Sequence, residues 1–134
     1  MIVYRIARER YIRDLSGDGA RRYGGRWNSK GIPLLYTAAS RSLAVVEYLV
    51  HVSISLAPQD LYLAEILFPD SPPPETVEPE RLPPDWTRHP APSALAEIGD
   101  AWARRGTSIA LKAPSAVVPG EYNYLLNPRH TQFK

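Results

Sequence analysis

The chain has 134 residues, 44% of them apolar and 22% charged, with three tryptophans, which fits one globular domain with its own core. It has no cysteine and no run of 18 apolar residues, which excludes disulfides, thiolate metal sites, a cysteine nucleophile and a membrane-spanning helix. The net charge of +2 hides an uneven distribution: residues 1–30 carry eight Arg or Lys against three acids, and residues 60–100 carry nine acids against two arginines. The basic excess can hold an anionic ligand or an acidic partner, or it can be a solvated surface.

The opening Met1-Ile2-Val3-Tyr4-Arg5 shows no basic stretch followed by an apolar run, so no secretory signal is expected and the chain reads as cytoplasmic. Residues 2–6 read as a short strand. Residues 13–31 are rich in Gly, Arg and Ser without a 2- or 3.6-residue period, and read as a loop. Residues 33–37, with Leu34, Leu35 and Tyr36, read as a buried strand. A helix follows, in which Ser40 suits the N-cap and Leu43, Val46, Val50 and Ile54 recur at helical spacing. Residues 60–68 alternate as a strand and stop at Pro69. Residues 69–92 hold nine of the fourteen prolines, which forbids a regular helix or central strand and predicts an irregular excursion over the surface. A second helix is predicted over 93–105, with Ser93 as its cap, Leu95, Ile98 and Trp102 as its stripe and Gly106 just past its end. Residues 107–113 and 115–118 read as strands, while the tail from 120 to 134 mixes aromatic, Asn and Pro residues and is given no element. Strands and single helices intermix without a βαβ rhythm, so the predicted class is α+β in one domain over 1–134.

Glu47 is the most informative residue, because it falls inside the apolar stripe of its helix. A carboxylate directed into a core is costly unless it is paired, hydrogen-bonded or protonated. It is therefore either a functional group or half of a buried salt bridge to an N-terminal arginine. Arg26 lies in Gly24-Gly25-Arg26-Trp27-Asn28. The glycines let backbone approach a ligand, and a guanidinium holds phosphate or carboxylate through two parallel hydrogen bonds; plain hairpins use the same pattern. Arg21 and Arg22 strengthen the case for an anion. Tyr36 offers an aromatic face beside the helix of Glu47, or simple packing. Ser115 lacks a partnered base, which ordinarily marks a turn residue. His51 lies one turn beyond Glu47 and can pair with it, whereas His89 and His130 fall in the excursion and the tail, so no triad and no metal site are expected. The tyrosines and arginines also suit RNA, but no basic–aromatic strand matches an RNA-binding signature; direct nucleic-acid binding is not expected, and a non-enzymatic nucleic-acid-binding module stands as the second alternative.

Taken together, these segments resemble the RES domain, a family named for its Arg, Glu and Ser. The matching pieces, in the family's order, are residues 24–28, Tyr36-Thr37-Ala38, residues 43–48, residues 114–118 and a tail signature over 121–130, Glu-Tyr-Asn-Tyr-Leu-Leu-Asn-Pro-Arg-His. The resemblance covers essentially the whole chain. It implies a fold similar to the ADP-ribosyltransferases, a mixed, split β-sheet core with flanking helices around an NAD+ cleft. It implies the toxin half of a toxin–antitoxin pair, with an Xre-type helix-turn-helix antitoxin as partner. The implied chemistry takes NAD+ as substrate without a metal: hydrolysis or phosphorolysis at the nicotinamide–ribose bond, or transfer of ADP-ribose to a host protein. In that frame Glu47, Arg26 and Tyr36 are catalytic. Glu47 stabilises the ribose cation, Arg26 anchors pyrophosphate or ribose, and Tyr36 stacks on nicotinamide. Trp27, Ser115 and Asn123 complete the NAD+ site.

Overall fold

The computed structural model describes residues 1–51, without the His51 side chain, and residues 58–133. Its strands are β1 (Ile2–Arg8), β2 (Leu35–Ala38), β3 (Leu61–Leu67), β4 (Glu75–Thr76), β5 (Ala110–Pro114) and β6 (Tyr122–Leu126). Its α-helices are α1 (Glu9–Ile12), α2 (Asp18–Tyr23), α3 (Arg41–His51) and α4 (Ser93–Arg105), with a 3-10 turn at Pro79–Arg81. The strands form one mixed sheet in the order β3-β1-β2-β6-β5-β4, antiparallel except for the β4–β5 pair. β1 and β2 meet at a single register pair, Tyr4↔Ala38, so the sheet is nearly divided there, in keeping with the α+β, split-sheet expectation.

Residues directly opposite each other in adjacent strands share a face, and that register places the site. Tyr4 and Ala38 lie opposite one another, as do Ala38 and Asn123, Tyr36 and Leu125, and Leu125 and Leu111. On this face Leu43 and Ala44 of α3 cover Ala38, Tyr4 and Ile6. Leu95 and Trp102 of α4 cover Leu111 and Leu125, joined by Trp27 and Leu34. Two helices thus lie over the two halves of one face, and the gap between them opens above β2 and β6. The opposite face buries Val3, Leu35, Phe68, Ile109, Tyr124 and Leu126. Each fully buried Leu or Trp contributes about 1.5–3 kcal/mol of apolar transfer, which gives the gap a rigid floor.

Helix α4 matches its sequence signals in extent and stripe, and Gly106 ends it in the left-handed region at φ +62°. Its N-cap, however, is Pro92; Ser93 is the first helical residue and makes no cap bond. Ser40 does cap α3, its hydroxyl accepting the Leu43 N–H at 3.1 Å. The buried side of α3 is not the expected stripe. Leu43 and Ala44 turn inward, while Val46 and Val50 are 37% and 54% exposed, so the covered side of α3 runs through positions 43, 44 and 47. The expected side-chain roles of His51 and Ile54 lie outside the described residues.

Residues 13–31 are not all loop, since α2 occupies their middle. Ser115 to Val118 form a turn instead of a strand, and the tail supplies β6, a central strand paired with both β2 and β5. The excursion contributes only the two-residue edge strand β4 and the 3-10 turn, as its prolines require, but Val77 and Leu82 pin it to the core.

Candidate active site

A cleft of about 1140 Å³ opens beside α3 over β2 and β6, walled on its other sides by α2 with the loop after it and by the excursion near residues 87–91, and Arg26, Trp27, Tyr36, Glu47 and Asn123 all line it. Glu47 reaches it because positions 43, 44 and 47 share one side of α3. The first two bury against the sheet, and one turn later the carboxylate emerges half-buried beside Asn123. Glu47 Oε1 accepts the Ser115 hydroxyl at 2.6 Å and the Asn123 amide at 3.0 Å. Ser115 Oγ in turn accepts the N–H groups of Val117 and Val118 at 3.1 and 3.0 Å, in the turn joining β5 to β6. Two backbone donors therefore polarise a hydroxyl that donates to the carboxylate, and charge-assisted bonds of this kind are the strong ones. Sequence reasoning expects Ser115 and Asn123 on the dinucleotide; the structure puts both on Glu47.

Arg26 stands in a loop over residues 24–32 that is fixed from two sides. Gly24 leaves α2 at φ +73°, a conformation open to glycine. Gly25 passes so close to Tyr36 that a Cβ would lie 2.6 Å from the phenol oxygen. Gly25 thus makes room for Tyr36, and both glycines line the cleft. Asn28, 1% exposed, donates to Ala20 O at 2.8 Å and Ile32 O at 2.9 Å, and its Oδ1 accepts the Tyr36 hydroxyl at 2.6 Å. The same Tyr36 oxygen accepts the Trp27 N–H at 3.0 Å. From α4, buried Asp100 accepts the Ser29 N–H at 2.9 Å, and Gly99 packs so tightly that a Cβ would lie 1.7 Å from Trp27 O.

The Arg26 guanidinium leaves this loop and grips the excursion, donating from Nη1 to Trp86 O at 2.6 Å and from Nη2 to Arg88 O at 3.1 Å. That uses two of its five N–H groups. Burial lowers its pKa from the ordinary arginine value, and the Glu47 carboxylate opposes the shift, so the two charges act on each other across the cleft. Burial pushes the Tyr36 phenol up, helped by the Asp100 charge and opposed by the Trp27 N–H and Arg26, which keeps it a neutral hydroxyl. Trp27 is 2% exposed and packs in the core with Leu34, Leu95 and Trp102, so its ring supports the loop.

Sequence reasoning misses Asn28, Gly99 and Asp100, whose signal is only their burial, and it misses Arg5. The Arg5 guanidinium donates to Tyr11 O and Ile12 O, each at 3.0 Å, and the side chain lines a second cavity of about 260 Å³ together with Tyr36, Glu47 and Asn123. An arginine inside a half-buried strand was the available clue. Of the histidines, His89 lines the cleft, while buried His130 accepts the Gln132 N–H in the tail. Among the described residues no cluster of His, Cys, Asp or Glu is placed to hold a metal, and no described helix is long and apolar enough to cross a membrane.

A family model for the RES domain matches residues 2–134. The chain belongs to the RES domain family. Among curated RES relatives it is 42% identical to Toxin Res of Yersinia enterocolitica, covering 100% of this chain and 88% of that protein. It is 41% identical to the Prs ADP-ribosylating toxin of a Sphingobium species, covering 90% of this chain and 76% of that protein. Among solved structures, a chain of the M. tuberculosis MbcT–MbcA toxin–antitoxin complex superposes with a TM-score of 0.74 over 99% of this chain and 76% of its own length. At 20% identity, that likeness shows the shared fold.

Proposed function

We propose that this RES domain cleaves NAD+ between nicotinamide and ribose, as the toxin half of a cytoplasmic toxin–antitoxin pair. The observation that carries the reading is Glu47, held on one oxygen by Ser115 and Asn123 in a cleft of dinucleotide size that the Arg26 guanidinium also lines. Nicotinamide leaves NAD+ as a neutral base, taking the electron pair of the C1′–N bond, so departure needs no general acid. The ribose left behind is oxocarbenium-like and calls for a fixed negative charge beside C1′. Glu47 supplies that charge. The free N–H groups of Arg26 suit the pyrophosphate, and the Tyr36 ring suits stacking on nicotinamide, worth about 1 kcal/mol beyond area burial. Water or phosphate then bonds to C1′, and a proton is lost to solvent.

The names of the relatives support the toxin role, and the MbcT–MbcA complex supports an antitoxin partner. We assign that partner to the Xre-type helix-turn-helix class and place it over the cleft between Arg26 and Glu47. Val46, Leu49 and Val50 are exposed on α3, and Val50 itself lines the cleft, which leaves apolar surface at its lip for a partner to cover. A second reading, transfer of ADP-ribose to a host protein, is favoured by the name of the Sphingobium relative. The test is purified protein with NAD+, with and without phosphate, beside labelled NAD+ in cell lysate. Nicotinamide with soluble ADP-ribose or its phosphorylated form is the expected product. Label on one protein band establishes the second reading, and neither signal from folded, antitoxin-free protein overturns both.

A further inference from the structure

The proline-rich excursion is part of the site. Thr87, His89 and Pro90 line the cleft and are exposed, whereas Trp86 just before them packs against the core. Arg26 straddles Thr87, bonding the carbonyls on either side of it, so the wall stands where the loop over 24–32 puts it. The arm that carries Gly24 and Gly25 also brings Tyr23 to the cleft, 78% exposed. A large aromatic ring left in solvent at the mouth of a cleft gains nothing for the fold and offers a stacking face. The volume near 1140 Å³ exceeds the roughly 300–1,000 Å³ usual for small-molecule sites, and far exceeds what a nicotinamide riboside fills.

We propose that Tyr23 and the wall formed by Thr87, His89 and Pro90 make up a subsite for the adenylate half of the dinucleotide, with Arg26 joining it to the Glu47 end. The inference rests on the NAD+ reading. A planar base suits the tyrosine ring and the proline edge, and the Thr87 and His89 side chains give its rim polar partners. Arg26 then has two duties: it holds the wall through the Trp86 and Arg88 carbonyls, and it offers its remaining donors to the phosphates between the two halves. The wall binds without touching the bond that breaks.

Nicotinamide mononucleotide separates these roles, since it carries the same scissile bond without the adenylate. The wild-type chain is compared with Tyr23→Ala and with Thr87→Ala/His89→Ala, all at exposed positions, and thermal unfolding checks that each variant is folded. The subsite predicts that KM for NAD+ rises about tenfold in each variant, while kcat/KM for the mononucleotide moves less than about twofold. ADP titrated by calorimetry is predicted to bind the wild-type chain and to lose about tenfold in affinity in the variants. Equal losses on both nucleotides, no loss on NAD+, or ADP binding unchanged by the variants would each overturn the subsite. If the wild-type chain cleaves neither nucleotide, the proposed activity falls, and the ADP titration still decides the subsite.

Discussion

Removing one hydroxyl tests whether Glu47 works because it is held. In Ser115→Ala the carboxylate loses its 2.6 Å donor and keeps Asn123 at 3.0 Å, so it gains freedom to rotate without losing its charge or its place on α3. A hydrogen bond to a charged group contributes about 1.5–3 kcal/mol, of which the remaining donor recovers part. If the bond serves to aim Glu47 at the ribose, most of that appears in the barrier, as a fall in kcat of about 10- to 100-fold. The Val117 and Val118 N–H groups also lose their acceptor, but both residues are partly exposed and water replaces it. The stability cost is therefore about 1 kcal/mol, a drop of a few degrees in Tm. Single-turnover release of nicotinamide beside thermal unfolding separates the two effects. Because the Ser115 hydroxyl is engaged by Glu47 and Ser115 does not line the cleft, KM should stay within about twofold. An unchanged kcat, or a loss confined to KM, would show that Ser115 does not aim Glu47 at the ribose.

Three further outcomes follow from contacts of the same kind. Arg26→Lys keeps a positive charge but cannot bridge two carbonyls, so KM for NAD+ should rise at least about tenfold; wild-type kinetics in this variant would make Arg26 a surface charge. Gly99→Ala forces a Cβ to within 1.7 Å of Trp27 O, so it should lower stability by roughly 1–3 kcal/mol in denaturant melts, although alanine is the better helix former. On α3, Leu43→Ala should cost about 2–4 kcal/mol, and Val46→Lys less than about 0.5 kcal/mol, by the same melts. Equal costs would mean that the wrong face of the helix has been taken as buried.

Much of the fold is legible where local rules decide it. Helix α4 carries its own stripe and stop, and Gly106 does what a glycine after a helix is expected to do. Helix α3 is legible in extent but not in orientation, because which side of an apolar helix is covered depends on where its sheet ends. Strand β6 is hidden since its central place comes from partners far away in sequence; Asn123 and Tyr124 look like tail residues until Ala38 and Lys112 stand beside them. The candidate site follows the same division. Glu47 stands out because its charge conflicts with its helix face, and that conflict survives even though the expected stripe does not. Arg26 and Tyr36 are recognisable as chemistry-bearing residues, yet their partners are not. The Tyr36 hydroxyl ends on Asn28, and the Arg26 guanidinium reaches carbonyls 60 and 62 positions away. Ser115 reads as a turn residue, which it is, and only the fold shows that the turn aims its hydroxyl at Glu47.

The central claim is that a fixed negative charge at Glu47 drives loss of nicotinamide. Glu47→Gln tests it most directly, since the glutamine carbonyl can still accept from Ser115 and Asn123 while the charge is gone. Binding of NAD+ by calorimetry and release of nicotinamide should be measured on the same folded preparation. Affinity should stay within a few-fold of the wild-type chain, and turnover should fall by about a thousandfold or more. Turnover of NAD+ at the wild-type rate by Glu47→Gln would contradict it.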